Sequence, residues 1–292
     1  TRRAVIITSL AFAASPAVAR TGFETWLKKF RRKATRLGFS ERTLEASLKG
    51  AEFLPKVVAN DSRQAEVAKP LQDYLASAAS GARLSGGQKA LKKYNNTLSK
   101  IERTYGVEKE VLTAIWGMES AYGGFRGTLP VFSTLSTLAF EGRRRELFEA
   151  ELLAALQIVE AGHATPAEMR GSFAGAMGHT QFMPSTYQRH AQDFDGTGHA
   201  NIWGDDPTDA LASTAQLLKA EGWRKGQPWA VEVTLPHGFD LAFTGRIFPR
   251  KTRDWQRLGV TTASSAKLAD HGNGALILPA GPEGPVFMVY NN

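Results

Sequence analysis

Val111-Leu112-Thr113-Ala114-Ile115-Trp116-Gly117-Met118-Glu119-Ser120-Ala121-Tyr122-Gly123-Gly124 is the stretch from which the rest of the chain can be read. Leu112, Ile115, Trp116 and Glu119 recur at i, i+3, i+4 and i+7, which is one face of a helix. Because it carries Leu, Ile and Trp, that face is expected to be buried, with Gly123 and Gly124 ending the helix just beyond Glu119. A carboxyl so placed meets two effects of the same sign. Partial burial disfavours its charged form, and the negative end of the helix dipole disfavours it further. A carboxyl kept protonated near neutrality is what a general acid requires. An ion pair with a core Arg or Lys is the competing reading of such a residue.

Outward from this helix, composition sets the bounds. The chain of 292 residues, with 42% hydrophobic and 22% charged residues, has the makeup of a globular protein with ample material for a core. Lys and Arg number 36 against 28 Asp and Glu, and this excess suits a polyanionic partner. An anionic envelope polymer or lipid surface serves as well as nucleic acid, and no nucleic-acid motif stands out. With no Cys, the chain has no disulfide, thiolate metal site, Cys nucleophile or lipid-modified Cys anchor. Arg2-Arg3, the apolar run from Ala4 to Ala14, and Ala17-Val18-Ala19 read as the three parts of a secretory signal peptide over residues 1–19. The paired arginines also suit a twin-arginine route, so the protein is expected to be exported to the periplasm. The apolar run is too short to span a bilayer.

Taken in order, Phe23, Trp26, Leu27 and Phe30 predict a first amphipathic helix ending near Gly38. Ser40 caps a short helix through Leu48, residues 51–70 read as irregular, and a helix carrying Tyr74 starts near Pro70. Leu91, Tyr94, Leu98, Ile101 and Tyr105 predict one helix closed by Gly106. Gly123 to Pro130 reads as a loop. A helix from about Arg143 to Ala161 is expected to bury Leu147, Phe148, Leu152, Leu156 and Val159, with Arg143 to Glu146 on a solvated face. Thr165-Pro166-Ala167-Glu168 has the form of a capping box at a helix start. Gly171 to Ser185 is rich in Gly and small residues, which allow a backbone or a ligand to approach closely. Pro184 opens a helix with Tyr187, and Asp206-Pro207-Thr208-Asp209 caps another running to Gly222. From Trp229 onward, alternating Val231, Val233 and Leu235 and Gly/Pro punctuation predict short strands.

Several of these motifs occur in an order and spacing that resembles the lytic murein transglycosylase B family (glycoside hydrolase family 103). They are Tyr105-Gly106-Val107 leading into Ile115-Trp116-Gly117-Met118-Glu119-Ser120, then Gly171-Ser172-Phe173-Ala174-Gly175-Ala176-Met177-Gly178, then Gln181-Phe182-Met183-Pro184-Ser185, then Asp193-Phe194-Asp195-Gly196 and Gly222-Trp223. The resemblance runs from about Phe23 to Tyr290. It implies a mainly α, lysozyme-like (α+β) fold, with residues 20–228 as a helical catalytic core with its N-terminal helical region and 229–292 as a small mixed strand and loop region. Family members continue past the position of Tyr290, so this last region reads as truncated.

The resemblance also implies the chemistry: non-hydrolytic cleavage of the β-1,4 bond between N-acetylmuramic acid and N-acetylglucosamine in peptidoglycan, giving a 1,6-anhydromuramoyl product. Glu119 takes the place of the sole catalytic acid/base, without the second carboxylate of the usual glycosidase pair. Tyr74, Ser172, Gln181 and Met183 match positions that bind or line the substrate cleft. Read without the resemblance, Gln181 satisfies loop backbone, Ser172 caps a turn, and Tyr74 and Met183 are core. A hydrolytic muramidase and a non-catalytic peptidoglycan-binding or scaffolding protein are the alternative functions. Gln216-Leu217 stands where the family often has Asn-Tyr.

Asp193, Asp195, Thr197 and the carbonyl of His199 fall at the alternating ligand positions of a Ca²⁺ loop, although Gly204 stands where a bidentate Glu belongs. In family members with this site a later Asp closes the shell, and Asp209 matches it. The loop is therefore a candidate site for a structural Ca²⁺, with no cofactor expected to be needed for the reaction. A loop held by Asx turns alone is the alternative. The expected partners are peptidoglycan glycan strands and other cell-wall enzymes, with the protein itself a monomer.

Overall fold

The computed structural model describes residues 16–63 and 70–292. Its helices are α1 (Pro16–Arg36), α2 (Glu41–Leu48), α3 (Pro55–Arg63), α4 (Leu71–Ala78), α5 (Gly81–Lys93), α6 (Asn95–Tyr105), α7 (Lys109–Ser120), α8 (Val131–Glu141), α9 (Arg145–Glu160), α10 (Pro184–His190), α11 (Thr208–Ala220) and α12 (Thr252–Arg257). Strands β1 (Leu129–Pro130) and β2 (Arg170–Gly171) form one small antiparallel pair. The strands β3 (Ala230–Thr234), β4 (Arg250–Lys251), β5 (Thr261–Thr262), β6 (Asn273–Ile277) and β7 (Val286–Val289) form an antiparallel sheet in the order β4-β6-β7-β3-β5. The mainly helical fold with a small mixed region is the expected one.

The helix at the centre is α8, and the sequence pattern does not single it out. Every residue from Val131 to Ala139 is buried, so Val131-Phe132-Ser133-Thr134-Leu135-Ser136-Thr137-Leu138-Ala139 has no polar face. A helix enclosed on all sides carries no amphipathic period, which is why reading by periodicity passes over it. Two of its hydroxyls serve the neighbouring chain: Ser133 Oγ accepts from the Glu52 amide at 3.1 Å, and Thr137 Oγ1 accepts from the Leu54 amide at 3.0 Å. Against α8 pack α1, α2, α3 and α9, with Phe30, Leu44, Leu48, Phe148, Leu152 and Leu156 in the shared core.

A second core joins α5, α6, α7 and α11 through Ala90, Leu98, Ile101, Leu112, Trp116, Leu211 and Ala215. The helix foreseen across Tyr94 is two helices, broken where Tyr94 leaves helical geometry at φ −105° and ψ 18°. Gly106 closes the second in the left-handed conformation, as expected. Residues 55–63, read as irregular, form α3. Ser40 caps α2 as foreseen, its side chain accepting from the Thr43 amide. The Thr165 capping box also forms, with Glu168 accepting from the Thr165 amide at 2.7 Å, but it closes a turn before β2 rather than opening a helix.

Two expectations on α9 are corrected. Leu147 faces outward, 49% exposed, because α8 and α10 cover the opposite side of the helix. Arg143 and Arg144 are not merely solvated. Arg143 Nη2 reaches Asp61 Oδ2 at 2.9 Å and Arg144 pairs with Asp61 Oδ1, so the two arginines clamp a carboxylate that α3 buries. The foreseen signal peptide lies outside the described residues, apart from residues 16–19 in the first turn of α1. Among the described residues, no helix is long and apolar enough to cross a membrane.

Asp61 ties α3 to the start of α9 from a buried position, so loss of both half-exposed arginines would leave its carboxylate buried and uncompensated. The double variant Arg143→Ala with Arg144→Ala is expected to lower unfolding stability by about 2–4 kcal/mol, read as a shift of the urea midpoint at unchanged slope. A shift below about 0.5 kcal/mol would show the clamp to be an ordinary surface pair.

Candidate active site

The buried arc of α7 is Leu112, Thr113, Trp116, Gly117 and Ser120. It is centred about a quarter turn from Glu119, which places that residue at the edge of the arc. The expectation of a buried Glu119 is thereby corrected: its side chain is exposed, and Ile115 is only partly buried. The packing partners α5, α6 and α11 meet α7 around Leu112 and Trp116.

The stop is corrected as well. The helix ends at Ser120, and both Ala121 (φ 49°) and Tyr122 (φ 60°) are left-handed without being glycine. Such a turn must be held from outside, and two side chains hold it. Ser120 Oγ accepts from the Gly123 amide at 3.0 Å and donates to the carbonyl of His179 at 2.6 Å. The Tyr122 ring lies in a slot with Gly86 and Gly87 of α5 on one side and Gly117 of α7 on the other. A Cβ at Gly86 would stand 2.6 Å from the ring, and one at Gly117 would stand 2.5 Å from its hydroxyl. That hydroxyl donates to the Arg83 carbonyl at 2.7 Å.

The loop from Gly171 to Phe182 folds on itself through paired bridges, Gly171 with Met177 and Met177 with Phe182. Ser172, half-buried, accepts the amides of Ala174 at 3.3 Å and Ala176 at 3.2 Å. Its lone pairs are thus engaged, and its hydroxyl proton remains as a donor. Gln181 is left-handed at φ 52° and uses its side-chain amide nitrogen on the carbonyls of Gly178 at 2.9 Å and Arg126 at 3.2 Å. What it keeps for a ligand is its carbonyl oxygen. Met183 is partly buried against the main core, at the cap of α10. Tyr74 is 38% exposed on α4, a helix that buries none of its residues. Large apolar side chains also stand open along the same segments: Met118, which precedes Glu119, Phe125 at 80% exposure, and Phe173, which follows Ser172.

One residue that joins these segments escaped the sequence reading. His179, buried within the Gly-rich run, accepts from Trp116 Nε1 at its Nδ1, 3.1 Å away, and its Nε2 lies 2.8 Å from the Gly204 carbonyl. Burial holds its pKa below the ordinary 6.5, and the Arg126 guanidinium adds to the effect. No spacing pattern points to it, because its partners come from three separate segments.

Asp193, Asp195 and Asp209 bring carboxylate oxygens within 4.8 Å of one another. Asp209 is buried, and desolvation raises its pKa in spite of amides donated by Phe194, Asp195 and Asn201. A buried carboxylate beside two others is a charge arrangement that a hard cation with oxygen ligands would stabilise. Thr197 and His199 lie on the same loop and are exposed, and the His199 ring is not part of the cluster.

With this geometry in hand, residues 22–292 match the family model described as a transglycosylase SLT domain. The membrane-bound lytic murein transglycosylase B of Escherichia coli (strain K12) is 40% identical over 157 residues, which is 52% of this chain and 43% of that relative. The chain thus spans less than half the length of this curated relative. SltB3 from Pseudomonas aeruginosa, solved in complex with NAG-NAM-pentapeptide, superposes with a TM-score of 0.84 at 42% identity, over 92% of this chain and 73% of that one. The Escherichia coli lytic transglycosylase Slt35 in complex with calcium gives a TM-score of 0.77 at 29% identity, over 93% and 85% of the two chains.

The geometry of the turn generates its own test. A Cβ at Gly123, where φ is +84°, would stand 2.5 Å from His179 Cε1, so both the backbone and the ring resist a side chain. Gly123→Ala is expected to cost about 1–3 kcal/mol in thermal unfolding. Gly50→Ala, with nothing within 4 Å of the added atom, should stay within about 0.5 kcal/mol. Equal midpoints for the two variants would refute the account of the turn.

Proposed function

The chain belongs to the transglycosylase SLT domain family, in its lytic murein transglycosylase B group, and from that premise we propose that it cleaves peptidoglycan glycan strands without consuming water. The carrying observation is Glu119, presented at the open edge of α7 by a turn whose two non-glycine residues are left-handed. In this reading the Glu119 carboxyl donates its proton to the oxygen of the β-1,4 bond leaving muramoyl C1. The C1–O bond breaks, and the carboxylate then takes the proton of the muramoyl C6 hydroxyl as that oxygen bonds to C1. Atoms and protons balance, Glu119 is regenerated, and the product carries a 1,6-anhydro ring.

The exposure of Glu119 fits a general acid whose cleft closes with the substrate itself, since a bound sugar supplies the desolvation that the free protein lacks. Ser172 offers a donor and Gln181 an acceptor. Those are the complements of the carbonyl and N–H of an acetamido group. Phe125 and Phe173 offer apolar faces of the kind on which sugar rings stack. Tyr74 and Met183 complete the candidate lining. We take residues 20–228 as the catalytic part and 229–292 as an accessory strand region.

The Asp193–His199 loop together with Asp209 would hold a structural Ca²⁺, its role being to neutralise the buried carboxylate and fix the loop that leads into α11. Export to the envelope agrees with the leader-like residues 1–19 and the basic balance of the chain. Peptidoglycan strands are the partner proposed, cell-wall enzymes are further candidates, and the protein acts as a monomer.

Glu119→Gln is expected to abolish release of anhydromuropeptides from purified sacculi, by at least about 10³-fold, with the melting curve unchanged. Product masses distinguish the reaction from hydrolysis, because the anhydro product is lighter by one water. Undiminished release by the variant, or hydrolysed products from the wild type, would defeat the proposal. For the cation, saturating Ca²⁺ at about a hundredfold excess over Kd should add about 2.7 kcal/mol of stability. Asp209→Asn should erase that gain, and a wild type indifferent to Ca²⁺ would leave the loop held by its own Asx turns.

A further inference from the structure

The Glu119 turn and the Ser172–Gln181 loop belong to segments some 50 residues apart in sequence, and one imidazole joins them. His179 contacts α7 twice: its ring accepts from Trp116 Nε1 at 3.1 Å, and its backbone carbonyl accepts from Ser120 Oγ at 2.6 Å. It contacts the 201–205 loop twice as well, through its amide to the Ile202 carbonyl at 3.1 Å and its Nε2 to the Gly204 carbonyl at 2.8 Å. Gly123 passes so close to the ring that no side chain fits between them.

These contacts fix the tautomer. A carbonyl can only accept, so Nε2 carries the proton. An indole N–H can only donate, so Nδ1 is bare. The Arg126 guanidinium also donates to Gly204 and lies 3.4 Å from Nε2, leaving that side of the ring no acceptor but the carbonyl. A second proton would have to go to Nδ1, where it would face the Trp116 N–H, donor against donor. The charged groups around the ring are Arg126, which opposes that proton, and Asp205 and Asp206, which favour it.

We propose that neutral His179 is a positioning residue for the reaction, locking the end of α7 that bears Glu119 to the loop that bears Ser172 and Gln181, and that protonating its Nδ1 breaks this lock. The inference rests on the reading of Glu119 as the acid/base. Its sign follows from burial, which holds the folded-state pKa below the ordinary 6.5. The stabilisation is complete above 6.5 and is lost as pH falls through the lower, folded-state value.

The test compares wild type, His179→Leu and His179→Gln in sacculus digestion across pH, with long-range 15N–1H NMR of the imidazole in the wild type. The spectra should show the Nε2–H tautomer at neutral pH, with Nδ1 protonated only below pH 6.5. His179→Leu, if folded by circular dichroism, should lose about a hundredfold in kcat with little change in KM, the penalty for displacing a catalytic group by about 1 Å. His179→Gln keeps an acceptor for Trp116 and a donor for Gly204, so it should recover most of the activity and flatten the acid side of the pH profile. Should His179→Leu misfold, the His179→Gln profile still decides. Wild-type kcat in His179→Leu, an unaltered acid limb in His179→Gln, or an Nδ1–H tautomer would overturn the inference. A wild type that releases no anhydro product at any pH would overturn the functional reading beneath it.

Discussion

The site depends on the hydroxyl of Ser120. A helix that ends in two left-handed non-glycine residues is unstable as a local structure, since each such residue costs on the order of 1–2 kcal/mol. The buried hydroxyl offsets this by accepting the Gly123 amide inside the turn and donating to the His179 carbonyl outside it. One atom thereby closes the helix and attaches it to the loop opposite. Tyr122 performs the same task on the other flank, its ring lodged between glycines of α5 and α7. The candidate acid immediately precedes these two anchors in the chain, on backbone that has little freedom to relax.

Much of this was legible in the sequence where a local rule applies. The cap at Ser40, the glycine stop at Gly106, the proline start of α10 and the alternation after Trp229 each have a mechanism confined to a few residues, and each stands in the structure. The failures have equally physical causes. A helix enclosed on every side, such as α8, has no polar face to betray it. The period of α7 was read correctly as helical but its buried arc was misplaced by about a quarter turn, because Ser120 is buried and Ile115 is not fully so. Leu112 and Ile115 are apolar enough to suggest one centre, and tertiary packing chose another.

Within the candidate site the division is similar. Glu119, Ser172 and Gln181 stand out because their motifs are contiguous. The structure adds what contiguity cannot: the Ser172 lone pairs and the Gln181 amide nitrogen are already committed to backbone, so each residue has one kind of bond left to offer. His179 was invisible for the opposite reason. A lone histidine in a run of small residues carries no signal until Trp116, Ser120 and Gly204 are brought to it.

The strand order β4-β6-β7-β3-β5 bears on how the protein is made. β3 is the first of the sheet's strands to leave the ribosome, yet its longest pairing is with β7, more than 50 residues later. The core around α8 draws on buried residues no later than Ala210, and can consolidate while β3 still presents open hydrogen-bonding edges. Until β7 arrives, the chain is a folded helical body trailing a strand that has only the two-residue β5 to pair with on one edge and nothing on the other, the state in which edge-to-edge aggregation competes with folding.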